Sequence, residues 1–132
     1  MGYGMNKKEL REDAKTYFVP IILGSNRKAH ALSAKIARKY RISATVADTK
    51  RSFWRFLDPF SAFLVLASDA HSIISEQIST YALGVDYTLP ILIPCSDEYE
   101  AYVSAQRTEL EKVFVICSAK NFFASSPLSV MD

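Results

Sequence analysis

Cys95, Ser96, Asp97, Glu98, Tyr99 and Glu100 follow directly on an apolar run, Leu89-Pro90-Ile91-Leu92-Ile93-Pro94. A thiol, a hydroxyl, a phenol and three carboxylates thus stand where a buried strand hands over to a helix. In open α/β sheets that junction is where ligand sites are built, because the helix N-terminus and the strand end converge there. Carboxylates in a first helical turn also answer the helix dipole with no functional role at all, so both readings stand. Val19-Pro20-Ile21-Ile22-Leu23 followed by Gly24-Ser25-Asn26 repeats the arrangement with fewer polar groups. Two such strand ends predict one sheet with one crevice above its carboxyl edge.

Other residues with chemistry to offer are more isolated. Asp48 ends the predicted second strand, where an acid can bind a ribose hydroxyl. Gly24 stands alone, however, where a dinucleotide fingerprint has three glycines, so a nucleotide-binding reading is the weakest of those considered. His30 has no serine, cysteine or aspartate at a recognisable triad spacing, and His71 reads as a polar neighbour of a helix start. Cys95 and Cys117 each end a predicted strand and read as reduced, part-buried thiols. Two cysteines and two histidines without ligand spacing predict no metal site. Lys50-Arg51-Ser52-Phe53-Trp54-Arg55-Phe56-Leu57 mixes cations with aromatics. It reads as a surface connection rather than a nucleic-acid platform, since no further basic stripe supports it.

The elements that must position these groups are legible as a βαβ series. A strand is expected over Tyr17–Leu23, with the continuous apolar character of a strand covered on both faces. Ser25 or Asn26 caps a helix to about Tyr40, whose inner stripe is Ala29, Leu32, Ile36 and Tyr40. Arg27, Lys28, Lys35, Arg38 and Lys39 fall on its solvated faces. A second strand is expected over Ile42–Ala47 and a third over Phe63–Ala67. Ser68-Asp69-Ala70-His71-Ser72 then caps a helix of Ile73–Leu83, with Ile74, Ile78 and Tyr81 inward and Gly84 as its stop. The fourth strand is Leu89–Pro94, and Ser96 or Asp97 caps the helix after it. Thr108-Glu109-Leu110-Glu111 has the spacing of a capping box and predicts a short further helix. Val113–Cys117 is the fifth strand.

The chain has 132 residues, 49% of them apolar, enough for one domain with its own core. The expected division is a loose arm over residues 1–16, with a short helical turn around Lys8–Ala14, a domain over 17–124 and a tail over 125–132. Over Ser118–Asp132, where the pattern runs out, Phe122-Phe123 is the only anchor. A net charge of +2 gives no strong case for nucleic acid or a membrane surface. No apolar run approaches the roughly 20 residues that span a bilayer. A cytoplasmic location is the expectation.

Three segments together resemble the N-terminal domain of ATP-grasp carboxylate–amine ligases, with D-aspartate ligases and carbamoyl-phosphate-synthase-like proteins as the nearest relatives. They are Phe18-Val19-Pro20-Ile21-Ile22-Leu23-Gly24-Ser25-Asn26, Ala44-Thr45-Val46-Ala47-Asp48, and Pro94-Cys95-Ser96-Asp97-Glu98-Tyr99 with Ser104-Ala105-Gln106-Arg107-Thr108-Glu109-Leu110 behind it. The last is the most specific, since turn and helix occur together and in order. The resemblance spans roughly Tyr17 to Phe123. It implies a pre-ATP-grasp fold: a three-layer, Rossmann-like α/β domain with a mainly parallel sheet of about five strands.

It also implies a role. In that family this domain lends its strand ends to the acceptor side of the active site. The chain would then be the substrate-side module of a C–N ligase, binding a small carboxylate or amine through Gly24, Ser25, Asn26, Ser96, Asp97, Glu98 and Tyr99. Ser25 and backbone N–H groups would hold an anionic group at the helix start. Asp97 or Glu98 would bind an ammonium or steer the amine, and Tyr99 would form a wall. These are positioning roles, with no catalytic residue among them. ATP and Mg²⁺ belong to the ATP-grasp lobes, which in the family follow where this chain ends at Asp132. The expected partner is that body, in cis or as a separate chain, or a second copy, and the chain alone is expected to be inactive. The alternative is a stand-alone interaction domain of the same fold without chemistry.

Overall fold

A computed structural model describes residues 18–50, 58–59, 61–84 and 89–119. The expected arm, its helical turn, most of the Lys50–Leu57 segment, Phe122-Phe123 and the tail lie outside the described residues. The elements in chain order are β1 (Phe18–Leu23), α1 (Arg27–Tyr40), β2 (Thr45–Asp48), β3 (Ala62–Val65), α2 (His71–Leu83), β4 (Leu89–Pro94), α3 (Asp97–Ala105), the single turn α4 (Arg107–Leu110) and β5 (Val115–Ile116).

The strands form one sheet in the order β3-β2-β1-β4-β5, and every pairing is parallel. β1 lies at the centre, matched to β4 along its whole length from Phe18 opposite Leu89 to Leu23 opposite Pro94. The apolar runs of these two strands follow from that place, since a central parallel strand is covered on both faces. On one face Phe18, Ile22, Val46, Ile91 and Ile93 pack with Ala29, Leu32 and Ile36 of α1. On the other, Ile21, Leu23, Ala47 and Leu92 pack with Ile74 and Ile78 of α2, Tyr99, Tyr102 and Val103 of α3, and Leu110 of α4. Alternate residues of each strand thus feed alternate cores, as the pleat requires. The result is a three-layer α/β fold of Rossmann-like topology. Its strand order reverses between β1 and β4, and that switch point opens the crevice at the carboxyl edge.

Several boundaries differ from expectation for identifiable reasons. β2 begins at Thr45 rather than Ile42, because Arg41 takes a left-handed conformation (φ 59°) to end α1 and Ile42 and Ala44 are still returning to the sheet. Both are nonetheless buried, which gave the segment its strand-like sequence. β5 shrinks to Val115–Ile116, since Val113 and Phe114 are bonded back to Leu110. β3 stops at Val65. Thr108 caps nothing: Gln106 stands at the start of α4, without a side-chain bond. Ala70 likewise precedes α2 with no side-chain cap. Gly84 does end α2, in an ordinary right-handed conformation that needs no glycine.

Candidate functional site

The ladder continues one residue past each central strand. Gly24 N–H donates to Ala47 O at 2.8 Å and Cys95 N–H donates to Leu23 O at 2.9 Å. These bonds bring the Gly24–Asn26 loop and the Cys95–Tyr99 turn together above the switch point. Gly24 has φ +111°, which side-chain-bearing residues rarely adopt, and a Cβ there would lie 3.5 Å from Tyr99 Cδ2 and 3.7 Å from Ser96 Oγ.

Two of the candidate binding residues are spent on architecture. Asn26 Oδ1 accepts from Ala29 N–H at 2.9 Å, capping α1, while its Nδ2 donates to Cys95 O at 2.9 Å and ties the two loops. Ser96 Oγ accepts from Tyr99 N–H at 3.2 Å and caps α3. Asp97 is exposed in the first turn of α3, outside the cavity wall described next.

The crevice is a cavity of about 570 Å³ lined by Ser25, Asp48, Thr49, Lys50, Asp69, His71, Ile74, Glu98, Tyr99 and Tyr102. Of the residues expected from sequence, Ser25, Glu98 and Tyr99 therefore share one wall. Asp48 is the hub. Its Oδ2 accepts from Ser25 N–H at 2.7 Å, and its Oδ1 accepts from Tyr99 OH at 3.0 Å and from Thr49 N–H at 2.7 Å. One carboxylate thus joins the β1 loop, the end of β2 and α3. Burial, and then the Asp48 carboxylate beside it, push the Tyr99 phenol well above the ordinary tyrosine range, so it remains a donor to Asp48.

This geometry bears on the anion expected at the start of α1. The Ser25 N–H that would meet such an anion is already bonded to a carboxylate. The same bond fills the place a phosphate takes in nucleotide-binding versions of this topology. Among the described residues the lining holds three carboxylates, Asp48, Asp69 and Glu98, and one lysine, Lys50, so the described wall is acidic. It is suited to a cation.

Sequence reasoning passed over Thr49, Lys50, Asp69, His71, Ile74 and Tyr102 as lining residues. Most follow the ends of β2 and β3, and the rule that parallel sheets bind at their carboxyl edge was the signal available for them. The Asp69 loop is held in place by Gln77 of α2, whose Oε1 accepts from Ala67 N–H at 2.6 Å and whose Nε2 donates to Val65 O at 3.3 Å. His71 packs edge-on to Tyr102, ring centroids 5.0 Å apart, and Tyr102 OH bonds to Ser75 Oγ at 2.6 Å.

The larger surprise lies behind the cavity. Ser25 Oγ is 2.8 Å from His30 Nε2, and His30 Nδ1 is 2.6 Å from Asp58 Oδ2. All three residues are buried. His30, in the first turn of α1, is therefore bonded to a serine and an aspartate despite lacking any triad-like spacing. Ser25 lies five residues before it, across the cap. Asp58 arrives through a connection whose course no local pattern reveals.

Cys95 is buried at the end of β4, and burial pushes its thiol up to about 11, with a smaller opposing effect of Lys28 and a smaller reinforcing one of Glu100. Burial also raises Cys117. Desolvation outweighs any activation of Cys95 by the adjacent helix start. Among the described residues no three His, Cys, Asp or Glu side chains are grouped to hold a metal ion, and no helix is long and apolar enough to cross a membrane.

No protein-family model, no curated protein and no solved structure matches this chain.

Proposed function

We propose that this chain is the substrate-side module of an ATP-dependent carboxylate–amine ligase, and that its cavity receives the amine. The observation that supports this reading is the Asp48 carboxylate, which draws Ser25 and Tyr99 to one acidic wall. Ser25, Asp48 and Tyr99 lie in the three segments that resemble such ligases, of which the turn holding Tyr99 is the most specific. An ammonium gains from three nearby carboxylates, whereas a phosphate would meet them in place of free N–H groups. Asp48, Asp69 and Glu98 supply charge, Tyr99 and Tyr102 supply aromatic walls that also suit a cation, and Ser25 supplies a hydroxyl. The module orients the amine and shields it from bulk water. Activation of the carboxylate by ATP and Mg²⁺ falls to the ATP-grasp body with which it would act.

An NMR titration of the isotope-labelled chain tests the reading, first with Mg-ATP and then with a panel of amino acids. Saturable shifts at Ser25, Thr49 and Tyr99 with an amino acid, and none with Mg-ATP, are expected. Saturable Mg-ATP shifts around Gly24 and Asp48 would overturn the reading in favour of nucleotide binding. Silence with every ligand, together with a concentration-dependent dimer, would favour an interaction domain without chemistry.

A further inference from the structure

Among the described residues α1 is the only helix on its face of the sheet, and it stands there as a ridge. Its exposed residues are Arg27, Lys28, Ala31, Lys35, Arg38 and Lys39. All are cations except the alanine. Arg41, exposed just past the helix end, adds another. No Asp or Glu occurs anywhere between Gly24 and Ala47. The charge is not placed to stabilise the helix. Arg38 and Lys39 do answer the dipole in the last turn, but Arg27 and Lys28 oppose it in the first. Lys35 and Lys39 are one turn apart and repel.

The opposite face carries the reverse sign. The charged residues of α3 are Asp97, Glu98 and Glu100, all exposed. Beyond them Arg107 pairs with Glu111 at 3.6 Å and Lys112 with Glu109 at 3.2 Å, so that stretch is locally balanced. The sheet thus separates charge, and a net charge of only +2 conceals a strongly positive side.

The composition of the ridge decides what suits it. Ala31 is the one apolar residue on its exposed arc. A protein interface wants buried aromatic or aliphatic anchors, and exposed ion pairs without them are worth little. A helix lying in a membrane surface wants an apolar face to bury. An array of cations is best matched by a polyanion of high charge density, whose condensed counterions are released on binding. The arrangement narrows the choice further. At about 100° per residue, Lys28, Lys35 and Lys39 form one row and Arg27 and Arg38 a second, about 90° around the helix, with Ala31 between them. A helix about 10–12 Å across, with cations on both flanks and a small residue at its crest, suits a groove about 12 Å wide that is walled by phosphates. That is the major groove of B-form DNA. The A-form major groove of duplex RNA is too narrow to admit it.

We infer that the exposed ridge of α1 docks on duplex DNA, held by the phosphates on either side of the major groove. Lys28, Lys35, Arg38 and Arg41 are the contacts on which the inference rests. No amide side chain stands on the exposed arc to read an adenine, so sequence preference is slight. The inference goes beyond the amine cavity and does not depend on it, since none of these four residues lines that cavity.

Fluorescence anisotropy of a short labelled DNA duplex of mixed sequence, titrated with the full chain, tests it. Four phosphate contacts predict an affinity that falls about 100-fold between about 50 and 200 mM salt. In Lys28→Gln/Lys35→Gln binding should be weaker, and the same change of salt should cost only about 10-fold. Arg107→Gln/Lys112→Gln removes the same charge from the other side of the sheet and should leave both affinity and salt dependence as in the unaltered chain. All four positions are exposed, and circular dichroism checks that each variant is folded. Equal losses in the two variants would show that net charge, not the ridge, attracts the DNA, and would overturn the inference. Tighter binding of duplex RNA, or of a single strand of the same sequence, would overturn the groove. Binding of phosphatidylserine vesicles at a salt concentration that releases the DNA would assign the ridge to a membrane surface instead. No binding of the duplex by the unaltered chain at the lowest salt would remove the inference outright and leave the amine site untouched.

Discussion

Gly24 is the residue at which the backbone itself sets the site. Its φ of +111° turns the chain from β1 into the loop that presents Ser25, beside Tyr99 and Ser96. The space is not the difficulty, since 3.5 Å to Tyr99 Cδ2 is ordinary contact. The conformation is. Gly24→Ala should therefore cost about 1–3 kcal/mol through strain, read as a lower urea midpoint with an unchanged slope. Because Ser25 N–H and Tyr99 OH meet on Asp48 just beyond this turn, the variant should also perturb Tyr99 resonances. An unchanged midpoint would mean that the loop relaxes without strain. Gly24 and Ser25 were legible as a strand-ending turn from their types alone. The role of His30 was not, because its partners are set by tertiary placement of Asp58 and by a serine on the far side of the cap.

The two helices that frame the switch point begin in the same way and are tied to each other. Asn26 caps α1 and donates to Cys95 O, whereas Ser96 caps α3 and does nothing more. Ser96→Ala should cost about 1 kcal/mol, the ordinary value of a cap. Asn26→Ala should cost about 2–3 kcal/mol, because it also strips a partner from the carbonyl of a buried residue. Asn26→Asp separates the two effects: the cap survives, the donor to Cys95 is lost, and the cost should fall between the others. Equal costs for Asn26→Ala and Asn26→Asp would assign the whole effect to the loop tie. The starts of these helices could be read from sequence because capping is local chemistry. The expected cap at Thr108 failed for the complementary reason: α4 is a single turn continuing almost directly from α3, so no free helix start exists there to cap. Apolar runs likewise located every strand among the described residues but overstated β2 and β5, since Ile42 and Phe114 are buried without joining the ladder. Burial writes the pattern, and pairing is only one way to be buried.

At the scale of the whole molecule, an all-parallel sheet covered on both faces puts its polar groups at one edge and leaves its interior unable to accept new charge. Cys95 and Tyr99 both sit where that interior meets the edge, and burial raises both. For Cys95 the folded value is about 11, against 9.0 for an unhindered thiol. Between those values the unfolded chain has released its proton while the folded chain keeps it. The unfolded state then binds fewer protons, so stability falls as pH rises. The contribution is fully present below about pH 9 and is lost toward pH 11, a change of about 2–3 kcal/mol from Cys95 alone. Tyr99 acts in the same direction at higher pH, because its phenolate would face the Asp48 carboxylate. Urea midpoints measured at about pH 8, 9, 10 and 11 should therefore decline through this window. Cys95→Ala should start from a lower midpoint, having lost buried volume, but decline less steeply, since the thiol's share of the slope is gone. Other groups titrate in the same range, which is why the difference between the two slopes, and not the decline itself, is the measurement. Parallel declines would show that the Cys95 thiol ionises as easily in the folded chain as in the unfolded one. The end of β4 would then be open to water rather than sealed on the α1 face of the sheet.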